Sequence, residues 1–488
     1  MSEPNEGLNG RRMDHPRGKC IVGSSAINLM ALIYPSKSGL DAWAEMGNEG
    51  WDHESMAPYY RKFQMHVPPS EEIQEALGID YLDSEFTGTS GPNKQSFPQV
   101  LNPLHKAWID SWKTLQRHGN PVNGIGNGGF TAPSSVNIET GRRSFAGLEY
   151  YEPIKDRPNI RVIVDAHVER IVLEKGTASS ATATGVIFHR HGQRNLAHTS
   201  KEVAPGVLQP SMLIYIVENL QDHLMAGPCF EVADGVATTD MMIRDPEAIK
   251  QAMKQYDESH SGPLSWGGGY NYGYTPLVDF ITPQPREDLK ALLDKHLPPT
   301  NSPNFKAEAL HHAFIRKIIE SPDEPSAAML CVTCQHHPQR DRILEKLAIT
   351  EPENYFTIYT QLSHPFSPGS IHITSPSFRT RLTLKTNYLS HPLDIEIFAR
   401  HIMQCEKIAQ TQPLASFLKP GGRRLPEGHD ALSLEAAIEM ARACAESNYH
   451  PSGTCAMMPE ELGGVVNERL VVHGTRNLRV VDASVFSG

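Results

Sequence analysis

The apolar positions of this chain change their spacing several times, and each change predicts an element. Lys19 to Tyr34, KCIVGSSAINLMALIY, is an apolar segment broken by Gly23-Ser24-Ser25. A small-residue turn inside an apolar run reads as backbone packed closely against something buried, which is a site-like feature. Asn159 to Glu174, NIRVIVDAHVERIVLE, holds two β-branched stretches and Ala183 to Arg190 a third, so consecutive strands are predicted there. From Glu231 to Thr350 the pattern is irregular, with helix-like pieces such as Pro246 to Tyr256 among Pro- and Gly-rich connections. This stretch reads as a substrate-side domain or cap. Ser370 to Thr386 alternates as strands, and Pro392 then opens a helix with Ile395, Phe398, Ala399, Ile402, Cys405 and Ala409 on one face. A second helix is predicted after Ser433, an N-cap with Glu435 in the first turn, running through Ile438, Ala441 and Cys444. Asn477 to Ser484, NLRVVDAS, reads as a short strand ending in a small polar turn.

Composition narrows the class. A length of 488 residues suits two to four domain-sized units, or a discontinuous two-domain enzyme. Lys plus Arg is 45 against 56 for Asp plus Glu, a net charge of −11, which gives no electrostatic reason to expect nucleic acid or an anionic membrane as partner. Gly and Pro at 37 each make a loop-rich but globular chain. No run approaches the roughly 18 consecutive apolar residues of a membrane span, and Met1 to Cys20 carries Arg11 and Arg12 with no apolar stretch after them, so neither a span nor a signal peptide is expected. Seven cysteines form a sparse, odd set, which points to a reducing, cytoplasmic compartment rather than a disulfide framework.

Three groups of residues are candidates for chemistry. Gly124, Gly126 and Gly129 spell G-x-G-x-x-G, but a phosphate cradle needs a buried strand before the glycines and a helix after them. Pro121 and Asn123 precede this match and Pro133 follows it, so a loop is the better reading. Cys331 and Cys334 with His336 and His337 have the ligand types for zinc, yet no second pair completes four ligands. AAMLCVTC is then a short buried strand, and no metal is expected. Histidine occurs 23 times, so none is notable by existing. His450 stands apart because Asn448-Tyr449-His450-Pro451-Ser452-Gly453-Thr454-Cys455 follows a helix end and is rich in turn formers. A His on a rigid turn presents its imidazole to a cleft, where general base work is possible beside the alternative of a satisfied surface residue.

Gly18-Lys19 with Gly23-Ser24-Ser25-Ala26-Ile27-Asn28, Asp41-Ala42-Trp43-Ala44 and Gly47-Asn48-Glu49-Gly50-Trp51 resembles the N-terminal signature of the glucose-methanol-choline (GMC) flavoprotein oxidoreductases. Further blocks match in order: Gly141-Arg142-Arg143-Ser144 with Arg157-Pro158-Asn159, Glu218 to His223, His364 to Ser370, Asn387-Tyr388-Leu389 with Asp394, Tyr449-His450 with Gly453-Thr454-Cys455, and Leu478 to Ser484. The resemblance spans residues 18 to 486.

That resemblance implies an α/β plus α+β fold: a discontinuous, Rossmann-like FAD-binding domain, here incomplete, with a substrate domain built on an antiparallel sheet. The segments 1–45 and 140–230 would belong to the FAD domain, 46–139 to a lid and connection, 231–430 to the substrate domain, and 431–488 to a closing FAD-domain segment. His450 matches the family's catalytic His, which takes the hydroxyl proton of a small-molecule alcohol as hydride passes to the flavin. Gly23, Ser24, Ser25 and Asn28 match residues along the flavin, Val168 a strand position whose backbone meets the adenine, and Asp482 and Ala483 a turn near the pyrophosphate and ribityl chain. The family's opening strand, G-x-G-x-x-G loop and helix lie before the point where the match begins, so weak FAD retention is expected of the chain as written. A second break falls where Lys201-Glu202-Val203 runs into Ala204-Pro205-Gly206 and Tyr215-Ile216-Val217 joins Glu218. The family's final helix, with its second active-site residue, is unmatched after Gly488. Two alternatives stand beside an alcohol oxidase or dehydrogenase of secondary metabolism: a shortened, inactive member, and a flavin-stabilised lyase.

Overall fold

The computed structural model describes all residues except 80–85, 100, 118, 120–123, 125, 177–179, 205–216, 267–270, 279–285, 298–305, 341–342, 376, 378 and 488. Its centre is an antiparallel sheet of eight strands. Along its main path lie Arg424–Leu425, Cys229–Glu231, Tyr355–Leu362, Ala327–Val332, Asn271–Thr275 and Gly128–Thr131. Leu224–Ala226 pairs with the far end of Tyr355–Leu362, and Glu446–Ser447 pairs with Leu224–Ala226 in turn. The sheet thus takes Gly128–Thr131, Leu224–Ala226 and Glu446–Ser447 from outside the span 231–430.

Strand alternation divides the work of Tyr355–Leu362, since successive side chains point to opposite faces. Phe356 and Ile358 enter a core with Met329, Cys331, Trp108, Trp112, Cys405 and Ile408. Tyr359 and Gln361, on the other face, meet His336 and His223. Behind the apolar face lies Pro392–Ala409, which starts with Pro at its first position and buries the predicted stripe Phe398, Ala399, Ile402, Cys405 and Ala409. Pro103–Thr114 covers another part of the sheet. Its Trp112 lies so close to Gly129 and Gly273 that a Cβ there would sit 2.4 Å from Cγ and 2.2 Å from Cζ2 of the indole. Gly124, Gly126 and Gly129 therefore form no phosphate cradle: Gly129 is a strand residue that makes room for Trp112, and Gly126 lies against Pro325. Cys331 is buried in Ala327–Val332, as a small hydrophobe.

A smaller body flanks this sheet. His167–Lys175, Ala181–Arg190 and Gln193–His198 form an antiparallel meander. Asn477 ties it to the C-terminal segment by accepting from the Ala183 N–H and donating to the Ala183 carbonyl, both at 2.8 Å. Val203 and Leu478 form a parallel bridge, with Val203 donating to the Asn477 carbonyl at 3.0 Å and accepting from Arg479 at 2.9 Å. The predicted strand across Asn159 to Glu174 is shorter than its β-branched pattern: only His167–Lys175 is paired, while Val162, Ile163 and Val164 are 42%, 43% and 59% exposed. A strand needs a ladder partner as well as propensity, and among the described residues this stretch has none. Ser433 caps Leu434–Cys444 through the Ala436 N–H. The junction from Pro205 to Ile216 lies outside the described residues.

The first residues fold back on the helices. Leu8 and Met13 are buried with Leu393, Ile397, Met440 and Ala441. Arg11 donates to the carbonyls of Ala445 and Pro338 at 2.9 and 2.8 Å, which carries His15 and Arg17 to the end of the sheet where Asp222 lies.

Candidate functional site

His450 sits on a left-handed turn, Tyr449 having φ +61°. The turn hangs from the segment 219–223 by a reciprocal bridge, in which Gln221 donates to the Ser452 carbonyl at 3.0 Å and Ser452 to the Gln221 carbonyl at 2.9 Å. The Asp222 carboxylate organises the rest. It accepts the His450 backbone N–H at 2.9 Å, the Ser447 hydroxyl at 2.6 Å and the Tyr388 hydroxyl. Asp222 is almost fully buried, and His15 lies 3.8 Å from it. These donors compensate the burial of a carboxylate, which is costly unless its lone pairs are used.

The imidazole of His450 faces that of His223, with Nδ1 to Nδ1 at 3.1 Å and the rings at 87°. Gln361 donates from Nε2 to Nδ1 of His223 at 3.0 Å, and Asn448 donates to Oε1 of Gln361. The Asn448 N–H binds the His223 carbonyl at 2.8 Å. His450 keeps accessible surface even though protein encloses it, the arrangement of a cleft wall. Burial pushes its pKa down to about 4, His223 and Arg17 add to the fall, and Asp222 opposes it. His223, His364 and His311 are also pushed down to about 4, chiefly by burial. Neutral imidazoles therefore surround this end of the sheet at pH 7, and His450 has a lone pair ready for a proton.

The turn at Gly23 to Asn28 forms a second cluster. It is a short 3-10 turn, Gly23–Ala26, in which Ser24 Oγ accepts from the Gly18 N–H at 3.1 Å and Ser25 donates to the Val22 carbonyl at 3.0 Å. Arg143 clamps it by donating to Oδ1 and to the carbonyl of Asn28. Arg17, six residues before this turn, acts electrostatically on Asp222 and His450. Asp482 caps its own turn through the N–H of Ser484, and the Ser484 carbonyl accepts from Cys455 at 2.7 Å. Asp482 and Ala483 are thereby tied to the segment five residues beyond His450. Val168 stands apart, half-buried opposite Phe188 in the meander.

The turn at Gly23 leaves open space of the kind a flat ring such as a flavin's would occupy. Gly23 has φ +60°, and a Cβ there would meet no described atom within 4 Å, so its backbone offers an open face. Ile21, Ile27 and Leu29 beside it are 55%, 56% and 64% exposed, although large apolar side chains favour burial. An open backbone flanked by bare apolar side chains is suited to a flat aromatic system. Among the described residues there is no strand, glycine loop and helix of the kind that holds a diphosphate.

Sequence reasoning singled out His450 but gave no role to Asp222, His223, Gln361 or Asn448. The available signal was the polar run Gln221-Asp222-His223 placed directly before Leu224–Ala226. No helix of the described residues is long and apolar enough to cross a membrane.

Comparison with known proteins is consistent across the chain. Family models described as GMC oxidoreductase match residues 6–225 and 365–488. A dehydrogenase of Monascus purpureus, mpl7, is 27% identical over 534 residues, covering 99% of this chain and 82% of the relative. The mitochondrial choline dehydrogenase of Mus musculus is 26% identical, covering 99% and 74%. In structure, an FAD-dependent oxidoreductase of Chaetomium thermophilum superposes with a TM-score of 0.84 at 22% identity, covering 100% of this chain and 85% of the other. A fungal aryl-alcohol oxidase gives 0.81 at 22%, covering 100% and 84%. At such identities the structural likeness speaks to the fold, an FAD-binding unit joined to a substrate domain.

Proposed function

Because this chain belongs to the GMC oxidoreductase family, whose cofactor is FAD, we propose that it oxidises the alcohol group of a small molecule, with His450 as the base that takes the hydroxyl proton. The observation that carries the reading is His450 itself: an accessible, neutral imidazole on a turn fixed by the buried carboxylate of Asp222. A base in hydrogen-bond reach of a hydroxyl makes the carbinol carbon a far better hydride donor, and such catalysis contributes about 10²- to 10⁴-fold. FAD, when bound, supplies the two-electron sink for that hydride. On this reading Gly23, Ser24, Ser25 and Asn28 lie along the flavin, Asp482 and Ala483 near its chain, and Val168 toward the adenine. Arg143 holds the Asn28 end of the first turn in place. The named relatives, a dehydrogenase and a choline dehydrogenase, support an alcohol as the substrate class.

The test is anaerobic mixing of the flavin-loaded protein with a panel of primary and secondary alcohols, including benzylic alcohols and choline. Bleaching of the flavin band by one alcohol, with the matching carbonyl compound formed, is the expected result. Product formation without bleaching would replace oxidation by lyase chemistry.

A further inference from the structure

With His450 as the base, we propose that His223 is the positioning residue that fixes the ring tautomer of His450, so that Nδ1 carries the hydrogen and Nε2 is the proton-accepting atom; the assignment rests on the reading of His450 given above. At His223 the amide nitrogen of Gln361 approaches Nδ1 at 3.0 Å, and since an amide N–H can only donate, Nδ1 of His223 is the accepting nitrogen. The Nδ1 edge of His223 is occupied by His450 at 3.1 Å and Gln361 at 3.0 Å. A neutral imidazole whose Nδ1 accepts carries its hydrogen on Nε2. A second hydrogen on Nδ1 would make an imidazolium, which the enclosed position disfavours. Nδ1 of His223 is thus a bare acceptor, and the contact at 3.1 Å is a hydrogen bond only if Nδ1 of His450 donates.

In this assignment Nδ1 of His223 is a shared acceptor, its one lone pair taking a three-centre contact from His450 and Gln361. Gln361 turns its amide nitrogen to Nδ1 of His223 because its carbonyl oxygen is taken by Asn448. Both side chains are held by backbone pairing, Gln361 opposite Met225 in the sheet and Asn448 through the His223 carbonyl. The contact between His223 and His450 is therefore held in place by paired strands. Nε2 of His450 has no hydrogen-bond partner among the described residues, so it is the free nitrogen of an accessible ring. A triad base depends in the same way on its orienting partner, where the wrong tautomer costs about 10⁴-fold.

The experiment is a long-range proton–nitrogen correlation spectrum of the full chain labelled with ¹⁵N-histidine. The His450 signals are identified by their loss in His450→Gln. The expected result near neutral pH is a protonated Nδ1 and a bare Nε2 for His450. His223→Leu removes the acceptor and is expected to abolish that preference, and to lower kcat by on the order of 10²-fold with KM retained. His223→Asn places an oxygen where Nδ1 was, and is expected to restore both the Nδ1–H pattern and most of kcat. A bare Nδ1 in the wild-type protein, or an unchanged pattern in His223→Leu, would overturn the proposal, and the wild-type spectrum decides even if the leucine variant does not fold. Unaltered flavin reduction in His450→Gln would instead defeat the base assignment, a separate outcome that the tautomer spectrum does not share.

Discussion

The backbone N–H of His450 donates to Oδ1 of Asp222 at 2.9 Å, across 228 positions of sequence. The turn carrying the imidazole is thereby held by the buried carboxylate of Asp222 together with the Gln221–Ser452 backbone bridge. Asp222→Asn places an amide group among the donors of His450, Ser447 and Tyr388, and at least one of them loses its acceptor. Hydrogen bonds to a charged group are worth about 1.5 to 3 kcal/mol each, so a stability loss of about 3 kcal/mol is expected in urea unfolding. A variant as stable as the parent would remove Asp222 from this role.

A second buried charge group lies at Glu446, opposite Met225 in the sheet. Lys346 donates to Oε2 of Glu446 at 3.0 Å, and His336 Nε2 lies 3.3 Å from Oε1, all three side chains being under a tenth exposed. Lys346→Met leaves the carboxylate uncompensated and is expected to cost about 3 to 5 kcal/mol. Lys346→Met combined with Glu446→Leu is expected to cost less than the single change. Equal or additive losses in denaturant titrations would contradict this.

Acid stability follows from the buried imidazoles. His105 and His401 are buried, and burial pushes each down to about 4 from an ordinary 6.5. Between those values the unfolded chain binds the protons that the folded one refuses, so stability is full above pH 6.5 and falls as the pH drops toward 4. Each group contributes about 3 kcal/mol to that fall, as an order of magnitude. Asp394, which burial raises to about 6 from 3.8, acts oppositely, gaining stability as the pH falls through 6. Asp240, Glu406 and Glu446 are raised as well, so among the described residues four carboxyls act against twelve imidazoles that burial lowers, and net acid lability is expected. Unfolding free energies at pH 7.5, 6 and 5 test this, and His401→Gln is expected to flatten the slope.

Much of the architecture was legible from apolar spacing. The stripe from Phe398 to Ala409, the Ser433 cap and the alternation of Ser370 to Thr386 appear as Pro392–Ala409, Leu434–Cys444 and the paired strands Gly369–His372 and Thr383–Lys385. Asn159 to Glu174 read too long, because β-branching reports what a residue tolerates and not whether a neighbour strand exists. The site was half legible. His450 is marked by its turn-rich setting, and the Gly23 turn by small residues within an apolar run. Asp222 and His223 are marked only by the polar run before Leu224–Ala226: their partners Tyr388, Gln361 and Ser447 come from three distant segments, and only the folded sheet brings them together.

The slot around Trp112 is expected to tolerate no added carbon. Gly273→Ala places Cβ 2.2 Å from the indole, which lies across the paired Gly273 and Gly129 and packs edge-on against Trp108. Overpacking of this kind costs about 1 to 3 kcal/mol. Thermal unfolding checks it, and an unchanged Tm would show that the helix Pro103–Thr114 shifts freely on the sheet.

The central claim is that His450 accepts the substrate's hydroxyl proton. Its most direct test is the rate of anaerobic flavin bleaching in His450→Gln against the parent, both loaded with FAD and mixed with the alcohol that bleaches the parent. The account predicts a rate at least about 100-fold lower at pH 7 with the flavin still bound. Bleaching at the parental rate would contradict it and place the base elsewhere.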